Sequence, residues 1–259
     1  MIELRAGAVR ATIVPEAGGR LGSLVVAGTE LLVTGDPDDH GTMWGSFPMA
    51  PWVGRLAGAR FTHDGVTHQL AANLPPDAIH GVVFAQPWLV TSASSANAVL
   101  TCALGDGWPL GGRAEQRFDL TTDELRCALA VRAGDRSMPA EIGWHTWFAS
   151  PGPIALAPTA MYERGRDHLP TGRLVEPRPG PWDDCFVNTR PVALPVAPLR
   201  VTVTSDCDHV VVFDELGLGV AVEPQSGPPD AFHLRPRVLA PGASLQRAMS
   251  IAWHDDRVP

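Results

Sequence analysis

The residues able to do proton chemistry in this chain each have bulky or conformationally special neighbours. His145 lies between two indoles in Gly143-Trp144-His145-Thr146-Trp147-Phe148, and Glu223 ends a hydrophobic run in Ala221-Val222-Glu223-Pro224-Gln225. Arg55 closes Pro51-Trp52-Val53-Gly54-Arg55, His80 precedes a glycine in Ala78-Ile79-His80-Gly81, and Asp183 follows Trp182 in Pro181-Trp182-Asp183-Asp184-Cys185-Phe186. A carboxylate and an imidazole can exchange protons near neutral pH. Arginine, histidine and aspartate hydrogen-bond hydroxyl groups, while indole faces pack on apolar ones. Five of the eight tryptophans (Trp44, Trp52, Trp144, Trp147 and Trp182) fall within or just before these segments. Together the set reads as a site for a polyhydroxylated ring, with Arg55, His80, Asp183, Trp144 and Trp182 as binding residues. Taken singly, each has a plain structural role: a satisfied core histidine, a solvated strand end, an Asx turn, a surface charge.

Other chemistries find less support. The chain contains no lysine, so its 20 basic side chains are all arginine, and the formal net charge is −8. An acidic chain without lysine is a poor partner for phosphate backbones, which argues against nucleic acid. Gly18-Gly19-Arg20-Leu21-Gly22 is only a loose glycine-rich pattern with no helix behind it and reads as a turn. His63 and His68 lie five residues apart without a third ligand nearby, so no metal is expected. The four cysteines form no C-x-x-C pair and read as reduced, mostly buried thiols. No signal-like start and no long apolar run is visible, which predicts a cytoplasmic protein with no membrane partner.

The elements that must position these residues are strands. Leu125, Cys127, Leu129 and Val131 alternate with more polar neighbours, as do Leu199, Val201 and Val203. Asp64-Gly65 between Phe61-Thr62-His63 and Val66-Thr67-His68 predicts a tight hairpin. Val210 to Val222 reads as two buried strands joined by a turn. Glycine and proline together make up 51 of 259 residues, which favours short strands and turns. The stretches Glu176 to Pro181 and Pro191 to Pro198 read as loops, and no helix exceeds two turns. The expectation is an all-β chain, a large antiparallel β-sandwich, organised as one domain over residues 1–259.

The ordered motifs resemble the aldose 1-epimerase (galactose mutarotase) superfamily. The matching pieces are Gly45 to Pro51 through Arg55, Ile79-His80-Gly81 with Trp88, Gly143-Trp144-His145, Leu169-Pro170-Thr171-Gly172, Trp182 to Phe186, and Glu223-Pro224-Gln225 through Phe232. The resemblance implies a galactose mutarotase-like supersandwich with a sugar cleft and neither metal nor organic cofactor. It implies Glu223 as general base, His145 as general acid, and Arg55, His80 and Asp183 as substrate-binding residues, with Asp184 as the fallback for Asp183. Arg55 and His80 would hold the sugar and stabilise charge on its ring oxygen. The expected partner is a small-molecule aldose, and the expected assembly a monomer or weak dimer. Two departures matter. Gly54 stands where the family often has Asn, and Val82-Val83-Phe84-Ala85-Gln86 lacks the arginine that the hexose-6-phosphate branch tends to carry there. A free aldose is therefore preferred; a hexose 6-phosphate, with Arg113, Arg164 or Arg166 supplying phosphate contacts, and a non-catalytic sugar-binding protein are the alternatives.

Overall fold

The computed structural model describes residues 1–36, 38, 41–150 and 152–255. Among these, two large antiparallel sheets face each other. The larger runs, in spatial order, Ile2–Ala6, Val9–Val14, Arg20–Val26, Ser46–Met49, Gly143–Phe148, Val220–Gln225, His209–Phe213, Asp183–Val187, Ala160–Arg164 and Pro170–Val175, with Thr29–Glu30 added beside Arg20–Val26. The smaller runs Leu89–Ala93, Asn97–Ala103, Arg113–Leu120, Glu124–Arg132, Ser244–Asp255, Leu199–Ser205 and Val192–Val196. The only α-helix among the described residues is the single turn Ala231–Leu234. No described helix is long and apolar enough to cross a membrane.

Alternation explains the smaller sheet. In Glu124–Arg132 the side chains of Leu125, Cys127, Leu129 and Val131 are buried while Arg126 and Arg132 are exposed. Successive side chains of a strand point to opposite faces, so one face is apolar throughout. Each fully buried Leu, Ile or Val contributes about 1.5–3 kcal/mol relative to exposure. Leu100, Phe118, Leu129, Val201 and Ile251 from this sheet pack with Ile13, Leu24, Trp144 and Val222 from the other. All four cysteines are free and buried.

The Asp64-Gly65 hairpin forms as its sequence predicts: Asp64 and Gly65 adopt φ of +49° and +76° between Arg60–His63 and Val66–Gln69. The proline-rich stretch from Pro191 to Pro198 departs from its reading as a loop. Val192–Val196 is a strand at the margin of the smaller sheet, paired with Leu199–Ser205 and bridged on its outer side only at Ala193, to Ala155. Pro195 is compatible with that position because an edge strand has one side that needs no N–H donor.

Candidate active site

The middle of the larger sheet is buried on both faces, and its two faces do different things. Gly143↔Gln225 and Thr146↔Val222 set the register between their strands, which brings His145 opposite Glu223. Phe47 pairs with His145 on one side, and Glu223, Val211 and Cys185 continue the same row on the other. Phe47, His145, Glu223, Val211 and Cys185 therefore form one line of side chains across five strands. Phe213 and Asp183 belong to the next row on the same face, two residues along, as does Trp147. The opposite face carries Trp144, Thr146, Val222 and Val212 into the core.

The segments after Ser46–Met49 cover this outer face and leave a cleft of about 270 Å³. Arg55–Leu56 pairs with Ala78–Ile79, and Ala50 bridges Gly81. A Cβ at Gly81 would meet the Ala50 carbonyl oxygen at 2.0 Å, so the two loops approach as closely as they do only with glycine there. Asp230 accepts from the Ala57 amide at 3.0 Å and from His233 Nδ1 at 2.6 Å, and its own amide donates to the Arg55 carbonyl at 2.7 Å. These bonds fix the backbone that presents Arg55. Gly54 has a φ of +56°, and a Cβ there would lie 2.7 Å from the Pro229 ring.

His145 and Glu223 are in direct contact, with Nε2 3.2 Å from Oε1. Gln225 Nε2 donates to Glu223 Oε2 at 3.1 Å. The imidazole of His145 stacks on Phe47, centroids 4.7 Å apart, and meets His80 edge-on at 4.9 Å. Burial pushes Glu223 well above the usual carboxylate range, reinforced by the negative charge of Asp183. Burial pushes His145 well below the ordinary imidazole value, helped by His80 and Arg20. Nδ1 of His145 is buried with no hydrogen-bond partner among the described residues, a poor setting for an imidazolium that would need both N–H groups satisfied. Burial thus disfavours the charged form of both partners, a carboxylate on Glu223 and an imidazolium on His145.

The other end of the cleft is charged. Arg164 lies 3.0 Å from Asp183 Oδ2 and 3.4 Å from Glu215, with Asp184 at 3.7 Å. His168 Nδ1 is 3.4 Å from the same Asp183 oxygen. Asp183 shares the face of Cys185 and Glu223 and opens to the cleft. Asp184 alternates to the far face, where its fully buried carboxylate is held by Arg178 at 2.6 Å. Of the two neighbouring carboxylates, only that of Asp183 is partly exposed.

Arg55, His80, His145, Asp183 and Glu223 all line the cleft. The two tryptophans named with them do not. Trp144 points into the core, donating from Nε1 to Gln116 Oε1 of the facing sheet at 3.1 Å. Trp182 packs on Phe186 and donates to the Arg178 carbonyl at 2.9 Å. The indole that reaches the cleft is Trp147, joined in the apolar wall by Met43, Leu74, Val211 and Phe213. Tyr162, His168 and Gln225, which the sequence does not mark as site residues, also line it, as does Arg164, expected only as an alternative phosphate contact.

A family model described as aldose 1-epimerase matches residues 1–252. The chain belongs to the aldose 1-epimerase family. Within reach of its sequence is the uncharacterized protein YphB of Escherichia coli K12, 29% identical over 258 residues, a match covering 86% of this chain and 88% of that protein. A crystal structure from E. coli K12 superposes with a TM-score of 0.86 at 23% identity, over 97% of this chain and 98% of its own. A galactose mutarotase-like protein from Clostridium acetobutylicum gives 0.85 at 16% identity, over 98% and 94%. These likenesses establish the galactose mutarotase-like sandwich as the fold of this family member.

Proposed function

We propose that this family member interconverts the α and β anomers of a free aldose by opening and reclosing its ring. The observation that carries the reading is the 3.2 Å contact between His145 Nε2 and Glu223 Oε1 within one cleft that Arg55, His80 and Asp183 also line. A hemiacetal carries a hydroxyl hydrogen and a ring-oxygen lone pair on one carbon, and so complements a base and an acid set side by side. Glu223, as carboxylate, takes the proton of the C1 hydroxyl. His145, as imidazolium, gives a proton to the ring oxygen, and the C1–ring oxygen bond breaks to an aldehyde. Rotation about C1–C2 presents the other carbonyl face, and the reverse transfers reclose the ring.

The electrostatics favour one stage of this cycle. Ring opening leaves Glu223 as the acid and His145 as the neutral base. That is the protonation state burial favours in both groups. The dry pair thus offsets part of the cost of holding the acyclic sugar.

Charge supports an unphosphorylated substrate. Arg164, the arginine at the far end of the cleft, already faces Asp183, Asp184 and Glu215. Arg113 borders a separate cavity with Arg132 and Asp135, and Arg166 is not among the residues lining the cleft. A phosphate dianion entering this cleft would meet more carboxylate than free cation. Polarimetry of freshly dissolved α-glucose and α-galactose tests the reading, alongside NMR exchange on glucose 6-phosphate. Accelerated mutarotation of a free sugar is expected. Faster exchange of glucose 6-phosphate than of glucose would transfer the activity to the phosphorylated class, and sugar binding without any acceleration would leave a binding protein.

A further inference from the structure

We propose that Met49 fixes the tautomer of His80, so that His80 faces the cleft as a hydrogen-bond acceptor and recognises a hydroxyl that donates. The deciding contact is His80 Nδ1 to Met49 Sδ, at 2.8 Å. A thioether sulfur accepts a hydrogen bond and cannot donate one. The proton of that contact therefore belongs to Nδ1, and in a neutral ring Nε2 is left with a lone pair. No described residue bonds Nε2, and the ring itself lines the cleft. Burial and the neighbouring Arg55 push His80 down to about 3, so the ring is neutral throughout the physiological range.

The surroundings hold the ring in this orientation. Phe47 meets it edge-on at 5.6 Å, Phe84 at 6.3 Å and His145 at 4.9 Å. Met49 is fully buried in a cluster with Phe47, Val53 and Phe84, so its sulfur has little freedom to leave. The backbone is as constrained as the ring. His80 adopts a φ of +64°, and its amide donates to the Gly54 carbonyl at 3.0 Å.

A lone pair at this position discriminates by chemistry. It rewards a hydroxyl and gives nothing to a carboxylate or phosphoryl oxygen, which brings no proton at neutral pH. It also excludes His80 as a donor to the ring oxygen of a sugar and leaves Arg55 as the donor of the two. The consequence for sugars rests on the epimerase reading; the tautomer does not.

The test is long-range ¹H–¹⁵N correlation NMR on the full chain labelled at histidine, with His80 assigned by the signal lost in His80→Gln. A pyrrole-type Nδ1 and a pyridine-type Nε2 are expected. Met49→Leu, close in volume and tolerable in a packed core, should move His80 toward the opposite tautomer. A wild-type His80 protonated at Nε2 overturns the proposal, as does a tautomer unmoved in Met49→Leu. The wild-type spectrum decides the first point even where the variant does not fold. Competition with monodeoxyfluoro glucoses adds the ligand side: fluorine does not donate, so one analogue should bind roughly tenfold or more weakly to the wild type. That penalty should shrink in Met49→Leu, and an equal penalty in both proteins overturns the role of Met49. Failure of every sugar to bind defeats the epimerase reading and leaves the spectrum to judge the tautomer.

Discussion

The two ends of the cleft solve opposite electrostatic problems. At one end Glu223, His145 and His80 are buried, the two histidines against Phe47, and burial pushes each of the three toward its neutral form. At the other, Asp183 stays in a half-exposed network with Arg164, His168 and Glu215. Desolvation penalises charge at the first end. Opposite charges close together hold it in place at the second. On the proposed reading, proton transfer belongs to the dry end and grip on the ligand to the charged end.

The largest effect that would break this division lies at the dry end. Glu223→Gln should lower kcat at least ~100-fold, the low end for loss of an acid–base group, while sugar binding measured by calorimetry is largely kept. A variant with full turnover removes Glu223 from the chemistry. At the charged end, Asp183→Ala should raise KM on the order of tenfold or more, as for the loss of a hydrogen bond to a charged group, with kcat changed much less. An equal fall in kcat would mean that Asp183 acts in the chemical step and that the two ends are not separate.

Stability against pH sharpens the same contrast. A histidine with a depressed folded pKa stabilises the fold above its unfolded value, and that contribution is lost as pH falls. For His80 the window runs from ~6.5 down to about 3, with a slope approaching about 1.4 kcal/mol per pH unit. Urea denaturation at pH 7.5 and pH 5 should show this loss, reduced in His80→Gln. An identical pH slope in the variant would mean that His80 is not held neutral.

The smallest expected effect is an absence. Because His145 is lowered and Glu223 raised, the pair keeps one proton across neutral pH, and kcat should show no inflection near the ordinary histidine value of ~6.5. A step there would mark the pair as solvated and ionised.

Where one face of a strand is dry and the other wet, the sequence is a direct guide. The alternation in Glu124–Arg132 and the Asp64-Gly65 turn both predict what forms. Gly143–Phe148 is buried at all six positions, so alternation vanishes and the two sides cannot be told apart from composition. His145 was legible there because a polar residue breaks the apolar run. Trp144 departs from its expected place in the cleft because an indole fits either side, and only the register shows it meeting Gln116 in the core. Trp182 failed similarly: it is adjacent to Asp183 in sequence, but its ring packs on Phe186. Arg164 and His168 lie on polar segments that resemble solvent faces, and their role emerges only when Asp183 is brought beside them. Met49 looks like ordinary core filling, and nothing in the chain marks its sulfur as the partner of a histidine thirty-one residues away.

The row that joins Phe47, His145, Glu223, Val211 and Cys185 has a consequence for how such a centre can change. Backbone pairing, rather than loop conformation, sets the spacing between His145 and Glu223, so their alignment is as rigid as the ladder itself. Sliding either strand by one residue would turn its side chains through the sheet and exchange an acid or a base for a core valine or threonine. On the proposed reading, the reacting pair is thus locked to the framework of the sheet, whereas Arg55 and His80 reach it from covering segments.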